Sequence, residues 1–309
     1  DSEGRVDSIT SDATGIGGKD SIITGGGPDV VMAGMDNDTI YSESGKELVL
    51  GDNGTASFDD NRNALRVETI SPLHGGEDLI YAGSEHDVVF GGTIDDVIYG
   101  GAGPDVILGD HGLYDVALPD NQRYRSIFTY NQHLGGDDLI HGNTGDDLIL
   151  GQQGDDTIYG NEDEDDITGG HNFLSVAVSG HDGNDYIEGG AAADVIIGDN
   201  GIIERIAVTT APWSWERYPS GANTAAIKLD DVIRKVLRYD DQEGIRFPDA
   251  QLMFGNDTIY GDQPNTTANP ADGHDIVFGQ RGDDLIHGGG GDDELIGEIG
   301  NDTIKGGAG

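Results

Sequence analysis

Aliphatic residues return along this chain at a spacing of nine. The first run is Ile22, Val31, Ile40 and Val49, the second Ile80, Val89, Ile98 and Ile107, the third Ile140, Ile149, Ile158 and Ile167. Ile187 and Ile196 form a fourth run, and Ile259, Val277, Ile286, Leu295 and Ile304 a fifth with one gap of eighteen. A glycine-rich stretch precedes each one, as in Gly100-Gly101-Ala102-Gly103-Pro104 ahead of Asp105-Val106-Ile107-Leu108. The short apolar segment predicts a strand with its aliphatic pointing inward. The glycine stretch predicts a turn, because Gly reaches φ > 0 without steric cost. Nine residues then hold one strand and one turn, and eighteen hold a flattened two-strand coil. Residues eighteen apart stack on neighbouring rungs, about 4.8 Å apart as in any parallel sheet. The fold class is all-β.

Two residues before every one of these aliphatics stands an acid. The series is Asp20, Asp29, Asp38 and Glu47; Asp78, Asp87, Asp96 and Asp105; Asp138, Asp147, Asp156 and Asp165; Asp185 and Asp194; and Asp257, Asp275, Asp284, Asp293 and Asp302. These acids belong to a chain of 309 residues with a formal charge of −43, from 59 acidic and 16 basic side chains. The acids are interleaved with aliphatics, so the chain does not read as a disordered acidic tail. Nucleic acid is not an expected partner, since phosphate recognition needs clustered Lys and Arg. The absence of Cys removes disulfides and thiolate metal sites. No apolar run is long enough to span a membrane.

Stacking places acids on adjacent rungs in the pairs Asp20/Asp38, Asp29/Glu47, Asp78/Asp96, Asp87/Asp105, Asp138/Asp156, Asp147/Asp165, Asp257/Asp275, Asp275/Asp293 and Asp284/Asp302. Two carboxylates about 5 Å apart repel by about 3 kcal/mol at an effective dielectric of 20. A cation midway between rungs sits at calcium–oxygen distance, about 2.3–2.6 Å, from both, and reverses the sign. The ligands are hard oxygens, which suits Ca2+ over Mg2+. Zinc is disfavoured because His does not recur in the repeat. The nine pairs suggest about nine ions or more.

The units resemble the Gly-Gly-x-Gly-x-Asp-x-aliphatic-x nonapeptide of the RTX (repeats-in-toxin) calcium-binding proteins. Good copies are Gly91-Gly92-Thr93-Ile94-Asp95-Asp96-Val97-Ile98-Tyr99 and the glycine run before Asp293 within 288–297. The nineteen units cover somewhat over half of the chain. The resemblance implies a right-handed parallel β-roll with calcium between turns. It implies carbonyl ligands two and four residues before the first Asp of a pair, and three and five before the second. For Asp87/Asp105 these are Gly83, Glu85, Gly100 and Ala102; for Asp147/Asp165, Asn143, Gly145, Gly160 and Glu162. For Asp138/Asp156 they are Leu134, Gly136, Gly151 and Gln153; for Asp78/Asp96, His74, Gly76, Gly91 and Thr93. Gly25, Gly27, Gly273, Gly282, Gly288, Gly290 and Gly297 are implied at the remaining sites. Two departures stand out. Glu47 replaces Asp, and the stretch between Asp257 and Asp275 contains Pro264 and Pro270 rather than a clean repeat.

Repeat runs at 15–54, 74–112, 133–170, 180–201 and 254–309 alternate with inserts at 55–73, 113–132, 171–179 and 202–253. The first two long inserts read as strand, polar loop, strand, with Asp59-Asp60-Asn61 and Pro119-Asp120-Asn121 as loops. They predict hairpins projecting from the roll. The longest insert carries Trp213-Ser214-Trp215, read as a small core of its own. Leu229, Val232, Ile233, Val236 and Leu237 have helical spacing, which predicts a helix over about 224–240. Three runs close on Gly-Asp-(Asn/His)-Gly, whose Asp52, Asp110 and Asp199 read as turn residues rather than ligands. His74, His86, His111, His133, His141, His171, His181, His274 and His287 read as scattered turn and surface residues.

No zinc-protease, nucleophile-elbow or Walker motif occurs. The expected function is a non-catalytic calcium-binding module. By resemblance it belongs to a larger secreted bacterial protein exported by a type I route, extracellular or at the cell surface, and monomeric. It would fold on meeting calcium outside. The chain reads as a piece cut from that larger protein. The alternative is an adhesion or ligand-binding module whose inserts grip a surface, glycan or protein. A more remote one is an enzyme with its site in 202–254.

Overall fold

The structure, a computed structural model, describes residues 6–11, 16–59, 64–115, 127–130, 134–172, 183–207, 216–217, 224–229, 232–238, 256–262, 274–280 and 282–308. Two parallel sheets face each other. One has ten strands and the other nine, and the chain passes between them at almost every turn. The ten-stranded sheet includes Thr39–Tyr41, Leu79–Ser84, Val97–Ala102, Leu139–Thr144 and Thr157–Glu162. The nine-stranded sheet includes Leu48–Leu50, Val88–Phe90, Val106–Leu108, Leu148–Leu150 and Val195–Ile197. This is a parallel β-roll, and no helix occurs among the described residues.

The periodic aliphatics are the core. Ile80, Ile98, Ile140, Ile158 and Ile187 from one sheet meet Val89, Ile107, Ile149, Ile167 and Ile196 from the other, all fully enclosed. A period of two sends alternate side chains to opposite faces of a strand, so only one residue of each three-residue strand reaches this interior. The core is therefore a column one side chain thick. The rungs stay in register across the inserts. Ile98 pairs with Ile80 within a run and with Ile140 beyond an insert. On the outer face of the ten-stranded sheet, Tyr41, Tyr81, Tyr99, His141 and Tyr159 stack with ring centroids 4.7–5.0 Å apart.

The outer face of the nine-stranded sheet is covered. Ser8–Thr10, Gly54–Phe58, Ala64–Thr69, Gly112–Asp115 and Ile127–Thr129 form one five-stranded antiparallel sheet. Its Ala56, Val67, Tyr114 and Ile127 pack with Leu50, Phe90 and Leu108 of the roll. The hairpins thus lie along the roll and share a second core with it.

Four departures from the roll leave from the same edge. The chain exits after Leu50, Leu108, Thr168 and Ile197, each the end of a nine-stranded-sheet strand. We call this the exit edge. The opposite, plain edge carries ordinary turns from Ser42 to Asp194 and is interrupted later, between Tyr260 and Asp275. The backbone explains where exits occur. Two residues past a nine-stranded-sheet strand, an ordinary turn enters the left-handed region, as at Gly92 (φ 127°) after Phe90 and Gln152 (φ 90°) after Leu150. Asp52, Asp110 and Asp199 stand at that position at three exits and stay outside the left-handed region.

The expected helix over 224–240 is not formed. Thr224–Leu229 and Val232–Arg238 are strands paired antiparallel, with Leu229 opposite Val232, and Val232–Arg238 also pairs with Gly201–Ala207. The segment carries Thr224, Ile227, Val232, Ile233 and Val236, whose branched side chains favour strands. The incoming strand supplies hydrogen bonds that a local reading does not count. Trp213, Trp215, the two predicted hairpin loops beyond Asp59, His133, His181 and Gly273 lie outside the described residues.

Truncating the column should be costly at a rung flanked by others on both sides. Ile149→Ala is expected to lower stability of the calcium-loaded protein by about 2–5 kcal/mol. The same change at Ile23, which is 71% exposed, should cost under about 0.5 kcal/mol. Urea unfolding monitored by circular dichroism measures both; equal midpoints would refute the column as the core.

Candidate metal centre

The periodic acids line the two edges as two files. On the exit edge the N–H of Asp78 donates to Oδ1 of Asp96 at 2.7 Å. The N–H of Asp96 in turn donates to Asp138 at 2.8 Å, and that of Asp138 to Asp156 at 2.8 Å. The same bond links Asp20 to Asp38, Asp38 to Asp78, Asp156 to Asp185, Asp185 to Asp257, Asp257 to Asp284 and Asp284 to Asp302. On the plain edge it links Glu47, Asp87, Asp105, Asp147, Asp165, Asp194, Asp275 and Asp293 in that order. Asp29 precedes Glu47 there, its carbonyl accepting from Leu48 at 3.0 Å.

Eight of the nine expected pairs are neighbours in these files. Asp257/Asp275 is not. Thr258–Tyr260 lies in the ten-stranded sheet and Ile276–Phe278 in the nine-stranded one. Asp257 and Asp275 therefore precede strands of opposite sheets, and eighteen residues here do not make a full coil. Asp257 stacks between Asp185 and Asp284, and Asp275 between Asp194 and Asp293. Sequence spacing missed the pairs that span inserts, such as Asp96/Asp138 and Asp105/Asp147. Their only sequence signal is the Gly-Asp exit followed by resumption of the repeat.

In nine of these acids one oxygen is thus satisfied and the other is not. Oδ2 of Asp38, Asp78, Asp87, Asp96, Asp105, Asp138, Asp156, Asp257 and Asp284 is buried with no hydrogen-bond partner. These oxygens face gaps left by glycine. A Cβ on Gly91 would lie under 3.0 Å from both Asp96 Oδ2 and Gly109 O, and one on Gly151 equally close to Asp156 Oδ2 and Gly169 O. A carboxylate oxygen and a carbonyl of the following rung therefore converge where a side chain would block them.

The turn carbonyls alternate in direction. Those of Gly27, Gly83, Glu85, Gly136 and Gly282 face the following rung, at Gly45, Gly101, Gly103, Gly154 and Gly300. Those of Gly91, Gly151, Gly160 and Gly288 face the preceding one. Ala102 and Glu162 also face back, accepting from Glu85 (2.6 Å) and Gly145 (3.4 Å). Gly25, His74, Gly76, Thr93, Gly100, Leu134, Asn143, Gly145, Gln153, Gly290 and Gly297 lie in the same turns. Among the described residues no three acidic or His side chains cluster as a metal site. Each gap draws on two carboxylates, so a cation of six to eight oxygens would need these carbonyls to complete its shell. The gaps offer hard oxygen alone, which fits calcium.

The exit acids behave differently. Asp52 accepts from Gly76 N at 3.0 Å and from Thr93 N at 2.6 Å. Asp110 accepts from Gly136 N at 3.0 Å and Gln153 N at 2.9 Å. Both oxygens are occupied by main-chain donors, so these carboxylates tie the returning chain to the next rung. Asp262, two residues past Thr258–Tyr260, accepts from Gly290 N at 2.7 Å; the sequence reading did not single it out. His111 and His171 do lie in exit turns but are buried rather than at the surface. Burial lowers the His111 pKa to about 4.

Burial dominates the electrostatics. It pushes the carboxyl of Asp78 up to about 8, Asp87 to about 9, and Asp105 and Asp284 to about 7. Asp96, Asp138, Asp156 and Asp257 are raised well above the usual range by burial, with neighbouring carboxylates adding to it. Without a cation these groups resist ionisation at neutral pH.

A family profile described as the RTX calcium-binding nonapeptide repeat matches residues 14–46, 74–93, 90–112, 134–170, 178–202, 271–304 and 287–309, together more than half of the chain. Among curated proteins none matches.

Calcium-stripped protein should respond to pH in the direction these shifts dictate. The folded pKa values lie above the unfolded value of about 3.9, so protonation stabilises the fold. That stability is fully present near pH 4 and is lost as pH rises through about 7 to 9. Far-UV circular dichroism from pH 4 to 9 should show β signal decreasing with pH. A β signal that grows with pH in stripped protein would refute the metal-free electrostatics.

Proposed function

The chain belongs to the RTX calcium-binding nonapeptide-repeat family, and from that premise we propose that it is a non-catalytic calcium-binding module that folds when calcium enters between its turns after secretion. The observation that carries this reading is the row of buried Asp Oδ2 atoms without a hydrogen-bond partner. A buried carboxylate oxygen without a donor is costly, and here the cost recurs on successive rungs, at Asp78, Asp96, Asp138 and Asp156 on one edge and at Asp87 and Asp105 on the other. Calcium would supply the missing partner. The paired acids, with the alternating carbonyls, would hold it.

Because the site exists only when two turns stack, binding free energy is folding free energy. Extracellular calcium modules commonly bind at about 10⁻⁴–10⁻³ M. A chain tuned to that range stays unfolded where calcium is scarce and folds where it is abundant. Export in an extended state followed by folding outside fits this behaviour, as does an extracellular or cell-surface location. The reading as an adhesion module draws less support. The described strands of the first two inserts spend Ala56, Val67, Tyr114 and Ile127 on the roll itself.

Far-UV circular dichroism of stripped protein at pH 7.5, titrated with calcium and in parallel with magnesium, tests the proposal. The expected result is a cooperative rise in β signal with calcium, with a midpoint below about 1 mM, and little response to magnesium. A stripped chain that is already folded and does not respond to calcium would sink calcium-driven folding and direct attention to the inserts.

A further inference from the structure

The repeat matches break at the inserts, one stopping at residue 112 and the next beginning at 134. No repeat unit therefore joins Asp105 to Asp147. The fold joins them. The second insert leaves from the exit edge, so on the plain edge the turn at 100–104 and the turn at 142–146 are both complete and lie on successive rungs. The N–H of Asp105 donates to Asp147 Oδ1 at 2.7 Å, matching the 2.8 Å bond from Asp87 to Asp105 inside a run. Gly101 and Ala102 pair with Asn143 and Thr144 across the insert as they pair with Gly83 and Ser84 within the run.

The oxygens converge there as well. Asp105 is 1% exposed and its Oδ2 has no hydrogen-bond partner. A Cβ on Gly100 would lie 2.8 Å from Asp105 Oδ2 and 2.9 Å from Gly142 O, two oxygens from opposite sides of the insert. From the lower turn, Gly103 O faces Gly145, and Gly101 O accepts from the Thr144 hydroxyl at 3.5 Å. From the upper turn, Thr144 O faces down and accepts from Gly103 N at 2.7 Å.

We propose that Asp105 and Asp147, with the carbonyls of Gly101, Gly103, Gly142 and Thr144, form a calcium site that bridges the second insert. The inference rests on the calcium reading of the sites within the runs. It makes the plain edge a continuous file of cations there, so the runs on either side of the insert fold as one unit. A protein of stacked repeats couples through nearest-neighbour interfaces, and this ion places such an interface where the sequence repeat is broken. The inserts can then vary without dividing the roll into separate calcium-folding segments.

The test is a crystal structure of the 309-residue chain grown in calcium, with anomalous difference maps recorded at long wavelength. Peaks between Asp87 and Asp105, between Asp147 and Asp165, and also between Asp105 and Asp147 would support the proposal. Peaks at the first two positions with none at the third would overturn it and leave the calcium reading of the runs intact. No peak at any of the three would overturn both. In solution, Asp105→Asn should reduce the ions retained on equilibrium dialysis by two, because Asp105 then serves two sites. A loss of one, in a variant whose calcium-loaded circular dichroism is unchanged, would contradict the bridging site.

Discussion

Along this roll, turn after turn buries a carboxylate, such as Asp96, Asp105, Asp138 or Asp156, with one oxygen hydrogen-bonded to the protein and the other left without a partner. Oδ1 accepts the N–H of the acid one rung earlier, and this bond sets the stacking of the turns. In Asp96 and Asp156, Oδ2 has no hydrogen-bond partner and shares with a carbonyl oxygen of the next rung a gap that a side chain on the glycine there would fill. Protonation or a hard cation resolves the conflict. The raised pKa values are the first solution, available in acid; calcium is the second, available at neutral pH. Both act at the same atoms, so protons and calcium compete.

The rest of the architecture is consistent with a roll that cannot stand on its apolar core alone. That core is a column one residue thick, and each rung adds one aliphatic from each sheet. The ring stack outside the ten-stranded sheet and the insert sheet outside the nine-stranded one add burial where three-residue strands offer little. The inserts are in this sense structural members. They thicken one wall of the roll and leave the plain edge clear for much of its length.

Placement of the inserts follows from backbone geometry. An ordinary turn on the exit edge has a left-handed residue two past the strand, supplied by Gly92 or tolerated by Gln152. At three exits an Asp holds that place outside the left-handed region. At Asp52 and Asp110 the carboxylate caps main-chain N–H groups of the returning rung, so the roll resumes in register. One residue type thereby plays two parts. Where Asp faces oxygens it invites a cation, and where it faces N–H groups it replaces one.

The nine-residue spacing by itself determined the strands, the inward aliphatics, the turns and the acid pairs wherever the repeat runs unbroken, because these depend only on the length of chain in one half coil. Tertiary structure decided everything that depends on which half coil a residue occupies. Asp257 and Asp275 are eighteen apart, as true partners are, yet the strands that follow them belong to opposite sheets, which puts them on opposite edges. Asp105 and Asp147 are forty-two apart and adjacent in space. The apolar spacing around Val232 suits a helix until the strand Gly201–Ala207 offers its hydrogen bonds. In each case the deciding partner is distant along the chain, and a periodicity counted locally carries no information about it.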